Sequence, residues 1–388
     1  MQMMLLIQNA QIITPDSKFL GACLIKDGEI KAIFEEPFPN LESDESVDLI
    51  DAKNRFLAPG LIDLQLNGAF GHDFTDNPDS IWTVASQLPQ LGVTGFLPTI
   101  ITAPLGKSRS AIDILQKGHG QSNFALPLGL HIEGPCLNPI KKGAHNPKYI
   151  LSPSDLEPEL VADWTARNGV RLVTLAPEIP GALQLIETLT AQGVIVSAGH
   201  SAATMAEARL GFAAGIRYVT HLFNAMPPLH HREPGLVGAA LADDSITIGL
   251  IPDGVHVHPE LVKLVWNVAG DRINGVTDAM GAMGMPAGDY LLGDYSVTVS
   301  ESDAKLEDGT LAGSVILPIN VVKNLHTFTR CDLVSAVRSM TAVPADLLGI
   351  GESKGRIKLG HDADLIIFDD SFNIEKTIIG GSIVYDRA

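Results

Sequence analysis

Three side chains of metal-binding type stand in the same local setting. Glu133 follows the apolar run 126–130 in His131-Ile132-Glu133-Gly134-Pro135. His200 follows residues 194–198 in Gly199-His200-Ser201, and His221 follows residues 218–220 in His221-Leu222-Phe223-Asn224. A polar residue at the end of an apolar strand is ordinarily a turn residue, so it is the threefold recurrence that argues for a shared task. One carboxylate and two imidazoles suit a single Zn²⁺, or another divalent first-row ion such as Fe, Co or Mn, with one coordination position left for water. Such an ion acidifies bound water and polarises a carbonyl, and a carboxylate is then needed to take the proton. Asp278, in Val276-Thr277-Asp278-Ala279, stands at a further strand end and suits that role as base and then acid; an N-cap or turn role is the competing reading.

Residues i and i+2 of a strand share a face, and on the first strand of this region Asp63 and Gln65 hold two such positions. A neutral amide is a poor metal ligand, which predicts one tightly held ion rather than two, with Gln65 and Asn67 in supporting positions. Glu133 is then a terminal ligand, and its removal is expected to empty the site.

The elements that must position these groups are readable as apolar runs at residues 56–66, 93–100, 126–132, 170–176, 194–198, 218–222, 246–251 and 273–276, separated by segments of helix length. Thr204 and Glu207 have capping-box spacing, with Gly215 where that helix would end. Eight strands alternating with helices predict an α/β fold of the closed (β/α)8 TIM-barrel type, whose active sites gather at the C-terminal ends of the strands. Asp63, Gln65, Asn67, Glu133, His200, His221, Asp253, His256 and Asp278 all fall at such ends. An open doubly wound sheet is the rival arrangement, disfavoured because no Gly-x-Gly-x-x-Gly turn follows the first strand. Residues 5–10, 21–26 and 29–33, with Asp27-Gly28 as a tight turn, are β-like, and so are residues 364–368 and 382–385 with Gly380-Gly381 between them. This predicts a small β-sandwich domain built from residues 1–55 and 355–388 around a barrel at 56–354, with separate terminal extensions as the alternative.

The formal charge of −18 argues against general nucleic-acid binding, and no stretch is long enough to span a bilayer. The apolar lead, residues 1–7, lacks a basic leader and runs into Gln8-Asn9-Ala10, unlike a signal peptide. Cys23, Cys136 and Cys331 are odd in number and far apart, which fits reduced thiols and a cytoplasmic location. Cys136, next to Pro135, is read as a packing residue with ligand contact as the alternative. His72, His119, His326 and His361 are read as surface or packing residues, and for His258 a role as partner of His256 is only the lesser alternative.

Pro59-Gly60-Leu61-Ile62-Asp63, the strand-end ligands, Thr277-Asp278-Ala279 and the tail from Gly355 to Leu365 resemble the amidohydrolase superfamily. Within it, the Glu133, His200 and His221 motifs, Lys142-Gly143-Ala144-His145-Asn146-Pro147 and Leu311-Ala312-Gly313-Ser314 resemble the N-acetylglucosamine-6-phosphate deacetylases. The resemblance implies hydrolysis of the acetamido group of N-acetyl-D-glucosamine 6-phosphate to D-glucosamine 6-phosphate and acetate. It carries the metal ligands onto Glu133, His200 and His221 and the acid/base onto Asp278. Substrate-binding positions fall on Ala144, His145, Asn224, Ala225, Arg232, Asp253 to His256, Leu311, Ala312 and Gly313, with Arg232 and His256 suited to phosphate. The phosphate-binding Arg of that family crosses a dimer interface, which implies a homodimer. Much of the superfamily has His-x-His on strand one, and Asp63-x-Gln65 departs from it; members with the same Gln use one metal. Another N-acyl substrate, such as N-acetylgalactosamine 6-phosphate, and a scaffold that has lost the chemistry are the remaining alternatives.

Overall fold

The computed structural model describes residues 4–36, 47–120 and 124–387. Residues 1–3 of the apolar lead and residues 37–46 of the expected terminal domain lie outside the described residues.

Eight parallel strands succeed one another around the main body: β1 (Leu61–Leu66), β2 (Val93–Ile101), β3 (Leu130–Glu133), β4 (Val170–Leu175), β5 (Ile195–Ala198), β6 (Ile216–Val219), β7 (Thr247–Leu250) and β8 (Ile273–Gly275). Each pairs with the next in sequence order, the register expected of repeated βα units. Closure follows from the segment after β8. Leu66 and Ala279 form a parallel bridge, Asn67 N–H donates to the Ala279 carbonyl at 2.8 Å, and Asp278 N–H donates to the Gln65 carbonyl at 2.9 Å. The barrel is thus sealed by the residues that carry Asp278.

The helices between the strands begin and end where their sequences dictate. The helix Met205–Ala214 starts at Thr204, which forms a reciprocal capping box with Glu207, and stops at Gly215. Ala208, Gly211 and Phe212 turn its buried face to the barrel.

Two expected strands prove to be composite. Residues 56–66 divide at Gly60, where a Cβ would lie 2.2 Å from the Thr94 side chain. Phe56–Pro59 leaves the barrel and pairs antiparallel with Leu365–Phe368 and parallel with Met4–Ile13. Residues 126–132 divide into Leu126–Pro127 and β3, because Gly129 between them adopts φ 129°.

Both chain termini join one eight-stranded mixed sheet, running Ser382–Asp386, Ile374–Ile379, Leu365–Phe368, Phe56–Pro59, Met4–Ile13, Lys18–Lys26 and Glu29–Glu35, with Val47–Asp51 also on Met4–Ile13. Ile7, Ile12, Ile25, Leu57, Leu365 and Ile378 form its core. The Asp27-Gly28 turn has φ of 53° and 83°, and the Gly380-Gly381 turn 53° and 77°, the left-handed conformations that a two-residue hairpin demands.

A three-stranded antiparallel insert, Gly288–Leu292, Tyr295–Val299 and Ala304–Lys305, lies between β8 and the helix Pro318–Thr329. No expectation from the sequence covers it. No helix among the described residues is long and apolar enough to cross a membrane.

Candidate active site

Glu133, His200, His221 and Asp278 converge at the C-terminal end of the barrel, each at or just past its strand, and line one cavity of about 220 Å³. The cavity is completed by Asn67, Gly143, Ala144, His145, Asn224, Ala225, His256, Leu311 and Gly313, together with Ile101, Leu292 and Thr310. His200, His221 and Asp278 adopt φ of 48°, 28° and 48°, left-handed values that non-glycine residues avoid. Backbone hydrogen bonds hold them there. The His200 carbonyl accepts from Asn138 N–H at 2.9 Å, the His221 carbonyl from Asn224 N–H at 3.0 Å, and the Asp278 carbonyl from Ser314 N–H at 2.8 Å. Strain of this kind concentrates where side chains must be aimed inward.

Glu133 is the hub. Its Oε1 lies 3.1 Å from His221 Nε2 and 3.3 Å from His200 Nε2, and the two imidazole nitrogens are 3.1 Å apart. A tetrahedral ion with bonds of ~2.0–2.1 Å separates its ligand atoms by roughly 3.3 Å, so this triangle has the right edges. Tautomers agree. His200 Nδ1 faces the Lys141 carbonyl at 3.0 Å; a carbonyl only accepts, so Nδ1 carries the proton and the Nε2 lone pair points into the site.

A cluster of Glu133, His145 and His200 also has ligand atoms within 4.8 Å of one another. His145 is nevertheless a donor. Its Nδ1 accepts from Thr102 N–H at 3.3 Å, which leaves the proton on Nε2, 3.8 Å from Glu133 Oε2. Burial, with further opposition from His200, drives its pKa down to about 3, so it stays neutral. A lone pair aimed inward distinguishes His200 from His145, and the spacing of Glu133, His200 and His221 is compatible with one bound ion.

The charges respond to this crowding. Burial pushes the Glu133 carboxyl up, but the neighbouring His200 and His221 outweigh it and leave the group well below the ordinary range. Burial also opposes protonation of His221, yet the bond to Glu133 and its charge raise the pKa overall. Asp278 is pushed up to about 6, first by burial and then by the Glu133 charge.

Gln65 donates from Nε2 to Glu133 Oε1 at 3.0 Å and accepts at Oε1 from Thr220 Oγ1 at 2.5 Å. Asn67 Nδ2 donates to Asp278 Oδ1 at 2.8 Å. The strand-one pair at the site is therefore Gln65 and Asn67, rather than Asp63 and Gln65. Asp63 sits one strand period deeper, accepting from Thr277 Oγ1 at 2.6 Å.

The remaining candidates divide. His256 faces the cavity with its Nδ1 on Asp253 Oδ2 at 2.6 Å, while Asp253 Oδ1 accepts from the Val255 and His256 N–H groups. Asp253 and Ala312 thus lie behind the cavity wall, and Arg232 is exposed, its Nη1 against His231 Nε2 at 2.9 Å. His258 does not support His256; it caps the helix Pro259–Ala269 by accepting from Glu260 N–H at 3.2 Å. Cys136 is 2% exposed, away from the cavity lining, with its thiol pushed up to about 12 by burial. His119 packs between Trp82 and Phe124.

Three contributors carried no signal of their own. Thr220, just past β6 and beside His221, is unremarkable by type. Glu178 accepts from Ser201 Oγ at 2.7 Å and Asn138 Nδ2 at 2.9 Å and so braces the His200 loop. His131, two residues before Glu133 and hence on its face of the strand, bonds Thr174 Oγ1 through Nε2 at 2.8 Å beneath the site, and burial drives its pKa down to about 4.

The fold and this site have counterparts. Residues 56–384 match the model of the amidohydrolase family. The N-acetylglucosamine-6-phosphate deacetylase of Homo sapiens is 37% identical over 347 residues, covering 86% of this chain and 85% of that protein. The crystal structure of N-acetylglucosamine-6-phosphate deacetylase from Pasteurella multocida superposes with a TM-score of 0.90 at 32% identity, over 98% of this chain and 99% of that one. A mutant of the Mycobacterium smegmatis enzyme, solved in complex with N-acetyl-D-glucosamine-6-phosphate, superposes with a TM-score of 0.88 at 27% identity over 99% of each chain. The chain belongs to the amidohydrolase family and, within it, to the N-acetylglucosamine-6-phosphate deacetylases.

Proposed function

We propose that this protein hydrolyses the acetamido group of N-acetyl-D-glucosamine 6-phosphate, releasing acetate and D-glucosamine 6-phosphate. The observation that carries the reading is the buried Asp278 carboxyl beside the Glu133, His200 and His221 cluster at one barrel mouth, in a chain that matches deacetylases along most of its length.

Glu133, His200 and His221 would hold one divalent cation, with zinc the first choice for a carboxylate and two imidazoles. When bound, the cation supplies Lewis acidity toward the acetyl carbonyl and toward water. Asp278 takes a proton from the attacking water, then returns it to the leaving amine. His145, with its Nε2–H aimed into the site, donates to the developing oxyanion. His256 faces the cavity, is tied to Asp253, and is suited, with Arg232, to the phosphate.

Arg232 reaches the substrate by way of a homodimer. Supporting this, Leu229 beside its loop and Leu261, Leu264 and Val268 on the helix Pro259–Ala269 are 42–53% exposed and border one apolar depression. The described cysteines are unpaired, consistent with a cytoplasmic setting.

Acetate release from the 6-phosphates of N-acetylglucosamine and N-acetylgalactosamine, and from unphosphorylated N-acetylglucosamine, tests the assignment. The gluco 6-phosphate should be preferred, and loss of phosphate should raise KM sharply. Equal KM with and without phosphate would contradict the roles of Arg232 and His256, and preference for the galacto epimer would overturn the substrate.

A further inference from the structure

Asn67 directly follows the first barrel strand and is 2% exposed beside Asp278. Its Nδ2 donates to Asp278 Oδ1 at 2.8 Å. A carboxylate only accepts, so the amide must turn its nitrogen to Asp278 and its oxygen the other way. That oxygen is buried and finds no donor among the described residues, a state proteins rarely leave without a ligand or water to relieve it. Slack in the chain does not explain it. The main chains of both residues are pinned across the barrel seam, Asn67 N–H on the Ala279 carbonyl and Asp278 N–H on the Gln65 carbonyl.

We infer that Asn67 Oδ1 accepts the N–H of the substrate's scissile amide while Nδ2 holds Asp278, so that one side chain aligns the acid/base with the leaving nitrogen. The inference rests on the amide hydrolysis proposed above. A secondary acetamide has one N–H, and its nitrogen gains a localised lone pair when water adds to the carbonyl. In that addition a C–O bond forms, the carbonyl π pair moves to oxygen, and a water proton passes to Asp278. The lone pair must then take that proton before the C–N bond breaks and the carbonyl reforms, giving acetic acid and the amine. With the N–H pinned on Oδ1, the lone pair is directed to the side where Asp278 stands.

The test compares the amide with its oxygen ester, the 2-O-acetyl analogue of glucose 6-phosphate, which has no N–H to offer. Asn67→Leu, and the smaller Asn67→Ser in case leucine is not tolerated, are assayed on both with metal content and Tm recorded. On the amide, kcat/KM should fall by about 100-fold; on the ester, where only the hold on Asp278 is lost, by about 10-fold or less. Equal losses on amide and ester would overturn the inference and leave the proposed reaction standing. Failure of the wild-type protein to hydrolyse the amide at all would remove the reaction and the inference with it.

Discussion

The two large sheets of this chain bury their faces in opposite ways. In the terminal sheet the core is largely aliphatic, and charges lie mostly at the rim, where Lys31 and Glu29 meet with side chains 43% and 48% exposed; Asp364, paired with Lys354, is the buried exception. Inside the barrel, Asp63, Gln65, Thr99, His131, Thr174, Thr220, Asn274 and Thr277 are all 0% exposed. Burying polar groups is costly unless each finds partners, and here they find one another: Asp63 with Thr277, Gln65 with Thr220, His131 with Thr174, Tyr218 with Asn274. Leucines would fill the same space with less penalty. What the polar interior achieves is a rigid floor beneath Glu133 and Asp278, and catalytic groups depend on such support for their aim.

If that contrast is real, changes in the barrel interior should cost chemistry and changes at the sheet rim should cost little. The largest effect is expected from Asp278→Asn, which removes the proton carrier yet leaves Glu133, His200 and His221 in place. Acetate release should fall by about 10³-fold or more with metal content unchanged. Thr220→Val keeps the shape but cuts the Thr220 hydroxyl from Gln65, which in turn braces Glu133. A loss of roughly 10-fold in metal affinity is expected by metal titration, and wild-type affinity would show that the floor is only packing.

The pH profile gives a smaller and sharper reading. Asp278 works as a base only when ionised, and burial with the Glu133 charge raises its pKa to about 6. Activity should therefore be full above that value and fall about tenfold per pH unit below it, with a bound cation moving the limb lower still. An acid limb above pH 7 in kcat/KM would exclude Asp278 as the group responsible. The smallest effect is expected at the rim: Lys31→Ala should leave Tm within about 1 °C and kcat unchanged, because an exposed pair contributes little.

Much of the site was legible because strand ends are legible. Apolar runs broken by Glu133, His200, His221 and Asp278 placed those four groups on one barrel face, and the folded chain brings them into one cavity. What the sequence concealed depends on geometry that residue types do not encode. Asp63, Gln65 and Asn67 share a face, but only strand length and closure decide that the last two reach the site. The donor role of His145 depends on a single backbone N–H from Thr102. Phe56–Pro59 reads as continuous with β1, and the break at Gly60 comes from the close approach of Thr94, a contact across strands. Leu292 and Thr310 enter the cavity from the insert and the segment after it, where short alternating strands carry no chemical mark.

In the proposed reaction one cation, held by Glu133, His200 and His221, serves the deacetylation. Elemental analysis of the purified protein, coupled to acetate release from N-acetyl-D-glucosamine 6-phosphate before and after chelation, tests it most directly. One divalent ion per chain is expected, with activity abolished by its removal and restored by its return, and neither ion nor activity in Glu133→Gln. Two tightly bound ions per chain, or undiminished turnover in the chelated protein, would contradict it.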